Sequence, residues 1–368
     1  PGPIKDLDRT RYFTPETAKS LFVQPRHYKL VGMKSCERNF TFVREGRPLK
    51  VVVADPELVL FPGINEDSPD DPLRIGFLIL TLSFMGSEQN PVYLDDLLEL
   101  NELYRYCREP YVGHFDERFK VHFVEDASGT DREIYVDRWM KWLECASGLA
   151  VEEGNLTASG DHRAFVWTCA ILENGSMTVR DAVSAEFIPE GDHELGHWIR
   201  LLNIDRPASG SARGSKYETQ WSRERTYTRW EEFGSLYGVH YHGGAMLAPP
   251  EKNPPLWLHF MGIYFDQTLL LLYLRVTLFQ FSESLRKLSS RKDPQPPTES
   301  AGTATTTVGS SPMIQEQWRQ RFRDLRLAFA LFSNQYGFPL LSNQQQGIEM
   351  YTLAREHMDV RELFEQVR

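Results

Sequence analysis

Residues Ile75–Phe84 read IGFLILTLSF, and thirteen residues from Leu94 to Tyr106 read LDDLLELNELYRY. The first is an unbroken apolar run bounded by polar sequence. A run of this kind suits a central strand covered on both faces. Asn90-Pro91 marks a turn. Beyond it, Leu94, Leu97, Leu98, Leu100 and Tyr104 fall near helical spacing. Strand, turn, helix is the opening of an α/β unit, so the α/β class is expected.

Working outward, Leu49–Val53, Val59–Phe61, Lys120–Val124, Ala164–Leu172 and Val183–Ile188 read as further strands. Ile134–Leu149 reads as a helix with Trp139, Trp142 and Leu143 on one stripe. The polar stretch from Pro207 to Arg229 reads as a solvated basic loop. Pro249-Pro250 and Pro254-Pro255 close this α/β region, giving a first unit over residues 1–250. Residues 251–292 hold one long helix, apolar all round at first, so it is expected to be buried. His259, Asp266, Gln267 and Arg275 interrupt it, which argues against a membrane span. Residues 293–312 have a linker's composition and predict a disordered connection. Residues 313–368 are helical again. There Trp318, Phe322, Leu325, Phe329, Phe332 and Tyr336 step by 4, 3, 4, 3, 4, a seam that packs along a partner helix. Gly337 and Pro339 end that helix, Ser342 can cap the next, and Asp359 a third.

Composition excludes some classes. The chain has 368 residues, 41% of them apolar, and a net charge of −10. It can bury a core, and broad nucleic-acid binding is disfavoured. Cys36, Cys107, Cys145 and Cys169 show no metal-knuckle spacing and are expected to be free thiols.

One motif could carry chemistry. His193-Glu194-Leu195-Gly196-His197 matches H-E-x-x-H. On a helix the two imidazoles share a face and could hold Zn²⁺, with Glu194 activating its water. Leu195, Trp198, Ile199 and Leu202 would then form the buried face. The metzincin continuation is missing; Glu218, Glu224, Glu231 and Glu232 are the available third ligands. The segment HWIRLLNID could equally be a strand, which would hold the histidines about 13 Å apart. The zinc peptidase is therefore the alternative reading, and an enzyme is the less favoured expectation. His240-Tyr241-His242 is expected to be a surface pair. Glu66, Asp67, Asp70 and Asp71 could attract a divalent cation weakly.

The C-terminal half resembles a known family. FDQTLLLLYLRVTLFQFSESL (265–285), a polar gap, and FRDLRLAFALFSNQYGFPLLSNQQQGIEMYTLAREHMDVRELFEQVR (322–368), placed after an α/β half, look like the soluble cytoplasmic part of CorA-like divalent-cation (Mg²⁺) transport proteins. The family's Gly-Met-Asn signature is not in this sequence. The resemblance implies an α/β/α sandwich with a mixed central sheet followed by long helices. It also implies membrane segments beyond Arg368, a homo-oligomer, a place at the cytoplasmic face of the membrane, and Mg²⁺ or another divalent cation as the ion concerned. A non-catalytic oligomeric interaction module is the third reading.

Overall fold

The computed structural model describes residues 9–29, 39–63, 74–86, 90–105, 120–123, 132–135, 163–171, 197–205, 216–230, 235–248, 256–290, 312–337 and 340–368. In chain order the described elements begin with α1 (Pro15–Ala18, running into a π-helical turn, Lys19–Val23), β1 (Arg26–Lys29), β2 (Asn39–Arg44) and β3 (Arg47–Val53). Then come β4 (Glu57–Leu60), β5 (Gly76–Ile79), β6 (Leu82–Met85), α2 (Leu94–Tyr104), β7 (Lys120–Phe123), β8 (Arg132–Tyr135) and β9 (Val166–Ile171). Next are α3 (His197–Asn203), α4 (Lys216–Arg225), β10 (Thr226–Tyr227), β11 (Leu236–His240), β12 (Gly243–Ala248) and α5 (Leu256–His259). A π-helical turn, Phe260–Tyr264, joins α5 to α6 (Phe265–Ser290), and α7 (Pro312–Tyr336), α8 (Gln345–His357) and α9 (Val360–Val367) complete the set.

At the centre is a mixed sheet in the order β10-β11-β12-β9, in which β12 runs parallel to β9 and antiparallel to β11. Side chains alternate across it, as the pleat requires. Leu236, Ala245 and Leu247 face one way, onto Leu98 of α2 and Trp198, Leu201 and Leu202 of α3. Tyr237, Val239, Met246 and Ala248 face the other, onto Phe260, Ile263 and the apolar length of α6. Helices thus cover both faces, and the expected α/β/α sandwich with long C-terminal helices is what the chain forms. Gly238 is required where α3 crosses β11: a Cβ there would lie 2.6 Å from Leu202 and 2.9 Å from Trp198.

Two antiparallel sheets flank this one, in the orders β1-β4-β5 and β6-β3-β2-β7-β8. Here the reading of Ile75–Phe84 needs correction. The run is extended, yet it is two strands rather than one central strand. β5 pairs with β4 and β6 with β3, each at the edge of its sheet among the described strands. The switch falls at Leu80–Thr81, where Thr81 O accepts from Ala54 N. The run is apolar because it serves two sheets in turn. β5 is half-exposed, alternating along its length.

Other expectations meet mixed outcomes. Leu49–Val53, Val59–Leu60, Lys120–Phe123 and Val166–Ile171 are strands as read. Ile134 and Tyr135 belong to β8 and not to a helix, because they pair with Val121 and Lys120; residues 136–149, like 183–188, lie outside the described residues. Lys216–Arg225 is a helix inside the stretch read as a loop, held on α3 through its buried Ser222 and the partly buried Trp221.

The aromatic seam closes on its own chain. α7 lies antiparallel to α6: Trp318 Nε1 donates to Leu288 O at 3.1 Å, Phe329 and Phe332 meet Phe281, and Tyr336 meets Tyr273. Phe332 and Tyr336 are buried, whereas Trp318 and Phe322 stay partly exposed where α6 itself turns polar. α7 ends at Tyr336, before Gly337, as read. Ser342 Oγ accepts from Gln344 N at 3.1 Å ahead of α8 and donates to Tyr12 O, so its role is partly to hold the N-terminal segment. Asp359 does precede α9, but in the left-handed conformation (φ 58°) with no side-chain cap bond, which corrects the capping expectation. Of the linker, residues 293–311 lie outside the described residues.

Candidate functional site

The end of the mixed sheet where β11 turns into β12 carries the densest set of chemically able groups. The loop is only Tyr241-His242, closed by the His240↔Gly243 pair. A Cβ on Gly243 would lie 2.5 Å from Val166 O, so only glycine lets β9 approach there. His240 points to the α3 and α4 side, edge-on to Trp221 at 5.6 Å between ring centres. It is 5% exposed, which corrects the reading of a surface pair.

The proton positions at this sheet end follow from the partners. The His242 backbone N–H donates to His240 Nδ1 at 3.4 Å, so the His240 proton sits on Nε2. That Nε2 is buried with no hydrogen-bond partner among the described residues. On His242 it is Nε2 that accepts, from the Arg163 guanidinium at 3.1 Å. Burial pushes the His240 pKa down to about 3, and His242, Arg225, Arg105 and Arg275 push it the same way. His240 is therefore a neutral imidazole among cations. This geometry repels a divalent cation, and the two imidazoles do not converge on one. Close by, burial raises the pKa of Asp205 against the opposing field of Arg105. On β9, burial pushes the Cys169 thiol up to about 12, so it is not a thiolate nucleophile.

The H-E-x-x-H histidines fare differently from one another. His193 and Glu194 lie outside the described residues. His197 opens α3, so the strand alternative for HWIRLLNID is excluded by helical backbone from His197 to Asn203. Trp198, Ile199 and Leu202 are buried as read, but so are Arg200 and Leu201, so α3 is covered around most of its circumference; Leu195 lies outside the described residues. His197 Nδ1 stands 3.5 Å from Asp95 Oδ1, an ion pair when the ring is protonated. Of the third-ligand candidates, Glu224 accepts from Gln220 Nε2 at 3.0 Å, Glu218 lies on α4, and Glu231 and Glu232 are outside the described residues. Among the described residues, no three His, Cys, Asp or Glu side chains gather as a metal site. Glu66, Asp67, Asp70 and Asp71 all lie outside them.

Sequence reasoning missed two charged networks. Asp96, fully buried at the start of α2, accepts from Tyr93 N at 2.8 Å, from Arg44 Nη1 at 3.0 Å and from Arg47 Nη2 at 2.8 Å. Burial opposes the charge on Arg44, but Asp96 and Asp95 outweigh it and hold its pKa above the ordinary value. On the far side, Glu349 of α8 accepts from the Tyr227 hydroxyl, from Arg229 at 2.9 Å and from Gln345 at 3.0 Å. Tyr93 and Gln345 are local partners, but the guanidinium and phenol partners, Arg44, Arg47, Tyr227 and Arg229, are distant in sequence, and no local pattern announces them. Both networks join elements and leave no group poised for chemistry.

Comparison of the chain with family models, with curated proteins and with solved structures finds no match. No helix among the described residues is long and apolar enough to cross a membrane.

Proposed function

We propose that this chain is a cytoplasmic regulatory and assembly domain of a CorA-like membrane divalent-cation transport protein, whose membrane helices lie outside the sequence described. The observation that supports the reading is the handover from an α/β/α sandwich to a long antiparallel helical pair, α6 and α7. That pair is closed by the seam Phe329, Phe332 and Tyr336 and flanked by α9, whose Phe364 reaches Phe329. The half-buried ion pair between Arg9 and Asp266, with Nε donating at 2.8 Å, fastens the N-terminal segment to the same helix. The ion would be Mg²⁺ or another divalent cation, and the working form a homo-oligomer. On this reading the domain's role is regulatory, and the groups at the sheet end carry no step of it.

The test uses the natural full-length product. Purified in detergent, it should have the mass of a symmetric oligomer by light scattering, and in proteoliposomes it should admit Mg²⁺ to an entrapped indicator. A monomer that passes no divalent cation refutes the proposal. Stoichiometric zinc lost on His197→Ala, with peptide hydrolysis lost on Glu194→Gln, would establish the peptidase in its place.

A further inference from the structure

Two high-energy features meet at Gly243, where β12 begins. The first is Ile204, which follows α3 with φ at 60°. A β-branched residue is an outlier in the left-handed region, and strain of this kind gathers at ligand clamps and switches. The second is His240 Nε2–H, a buried donor with no acceptor among the described residues. Buried donors are nearly always paired, so an unmet one asks for a reason. Both border one point: a Cβ on Gly243 would lie 2.8 Å from Ile204 Cδ1 and 3.4 Å from His240 Nε2. Ile204 is buried there, whereas Asp205, the next residue, reaches the surface.

The electrostatic surroundings of His240 are cationic. Arg163, ahead of β9, meets His242 Nε2 at 3.1 Å. Arg275 of α6 donates to Tyr241 O and lies over the Tyr241 ring at 4.4 Å. Arg225, at the end of α4, lies 4.4 Å from the centre of the Trp221 ring that His240 meets edge-on. Arg105, which follows α2, accepts at its backbone O from Ala164 N. Four arginines from four parts of the chain thus come to a turn of two residues, although the whole chain carries −10. Carboxylates are present too: Glu224 stands 3.7 Å from Arg225, and Asp205, Glu102 and Glu218 share the Arg105 side. None of them is among the charges that weigh most on His240, which are His242, Arg225, Arg105 and Arg275.

We infer that this sheet end is a latent binding site for a compact oxyanion, with Ile204 as its plug. When the Ile204 backbone relaxes out of the left-handed region, its side chain leaves Gly243. An anion oxygen then takes that place and accepts from His240 Nε2–H. The guanidiniums supply the field, and their planar groups match the geometry of phosphate oxygens. Strain in Ile204 favours opening, while burial of its side chain keeps the empty site closed. The apparent affinity of such a site is lowered by the fraction of molecules that are open, so removing the plug should raise it. A seat bordered by one glycine takes a free oxyanion or a phosphoryl end and not a bulky body, so inorganic phosphate is the probe. The inference concerns the present chain and holds whether or not the full-length product transports ions.

The experiment is calorimetric titration of the chain with sodium phosphate, with sodium chloride holding the ionic strength constant. Phosphate should bind at one site, and sulfate should compete with it. His240→Phe keeps a ring but removes the donor, and should weaken binding by about tenfold or more. Ile204→Gly accepts a φ of 60° and removes the plug, and should tighten binding by about tenfold. Opposite effects from two side chains that border one glycine are what an ion held on the surface does not give. Circular dichroism shows whether each variant is folded; if His240→Phe is not, the direction of the Ile204→Gly effect decides. Phosphate that binds neither the parent nor Ile204→Gly at millimolar concentration overturns the inference. So does an adventitious ion only, seen as binding that His240→Phe leaves unchanged, or an Ile204→Gly chain that binds no more tightly than the parent.

Discussion

Replacing Asp96 by alanine removes a fully buried carboxylate that joins the β2–β3 hairpin to the first turn of α2. Three donors lose their acceptor: Tyr93 N–H, Arg44 and Arg47. The loss of the helix-start bond costs about 1 kcal/mol. Hydrogen bonds to a charged group contribute about 1.5–3 kcal/mol each. The lower end applies to both arginines. Arg44 keeps Glu99 at 2.9 Å and Asp95 at 3.5 Å, and Arg47, with 29% of its side chain exposed, regains water. The expected destabilisation is therefore about 4 kcal/mol, within the range seen when one member of a buried ion pair is removed. Asp96→Asn keeps an acceptor for Tyr93 N–H but loses the charge, and should cost about half as much. Urea unfolding followed by far-ultraviolet circular dichroism measures both, read as a shift in midpoint at constant slope. An Asp96→Ala protein within about 1 kcal/mol of the parent would show that the hairpin and α2 are held by apolar packing, such as that of Phe42 on Tyr104, and that the ion-pair reasoning is wrong.

Three further outcomes are expected. Phe332→Ala, at a 1% exposed position between Phe281, Tyr273 and Tyr336, should lower stability by about 3–5 kcal/mol; a loss below about 1 kcal/mol would mean that α7 is not docked on α6. Gly347→Ala places a Cβ 2.5 Å from the Tyr12 hydroxyl and 2.8 Å from Ser342 Cβ, and should destabilise by about 1–3 kcal/mol; a neutral effect in thermal unfolding would contradict that close approach. His240 binds its proton far less readily folded than unfolded, its pKa falling from 6.5 to about 3, so between these values the unfolded chain takes up a proton that the folded chain does not. Its contribution is complete above pH 6.5 and is lost as pH falls through that window, by up to about 1.4 kcal/mol per pH unit. His240→Gln should show a shallower fall in stability with acid over this window, and an unchanged pH profile in urea melts would refute the assignment.

The elements that sequence patterning revealed are those whose environment is uniform along their length. The apolar stretch of α6, the inner half of the α7 seam and β9 each keep one kind of partner along that length, and each is visible as a period or a run. Ile75–Phe84 misled because its two halves lie at the edges of different sheets, and hydrophobicity carries no record of a change of partner. Lys216–Arg225 looked like a loop because its helix rests on the core mainly through Trp221 and Ser222, too few contacts to mark a period. One local cue was passed over. Glu45-Gly46, with φ of 50° and 78°, separates β2 from β3 and is the two-residue loop that favours a hairpin. At the sheet end, H-x-H spacing marked His240 and His242, but the burial of His240 beside Trp221 and the guanidinium partner of His242, Arg163, come from segments apart from that spacing.

The attachment of the N-terminal segment to the loop before α8 bears on how the protein is made. Phe13 bridges to Ser342, Thr14 N donates to Leu341 O at 3.1 Å, and Ser342 Oγ reaches Tyr12 O across 330 positions of sequence. Tyr12 and Phe13 thus leave the ribosome some 330 residues ahead of the partner that covers them. Until that partner arrives, Tyr12 and Phe13 must remain in water or find other cover, and closing so long a loop is slow. Nascent chains stalled before residue 342 should therefore be engaged by chaperones and cut easily near Tyr12 and Phe13, a vulnerability that docking of Leu341 and Ser342 removes.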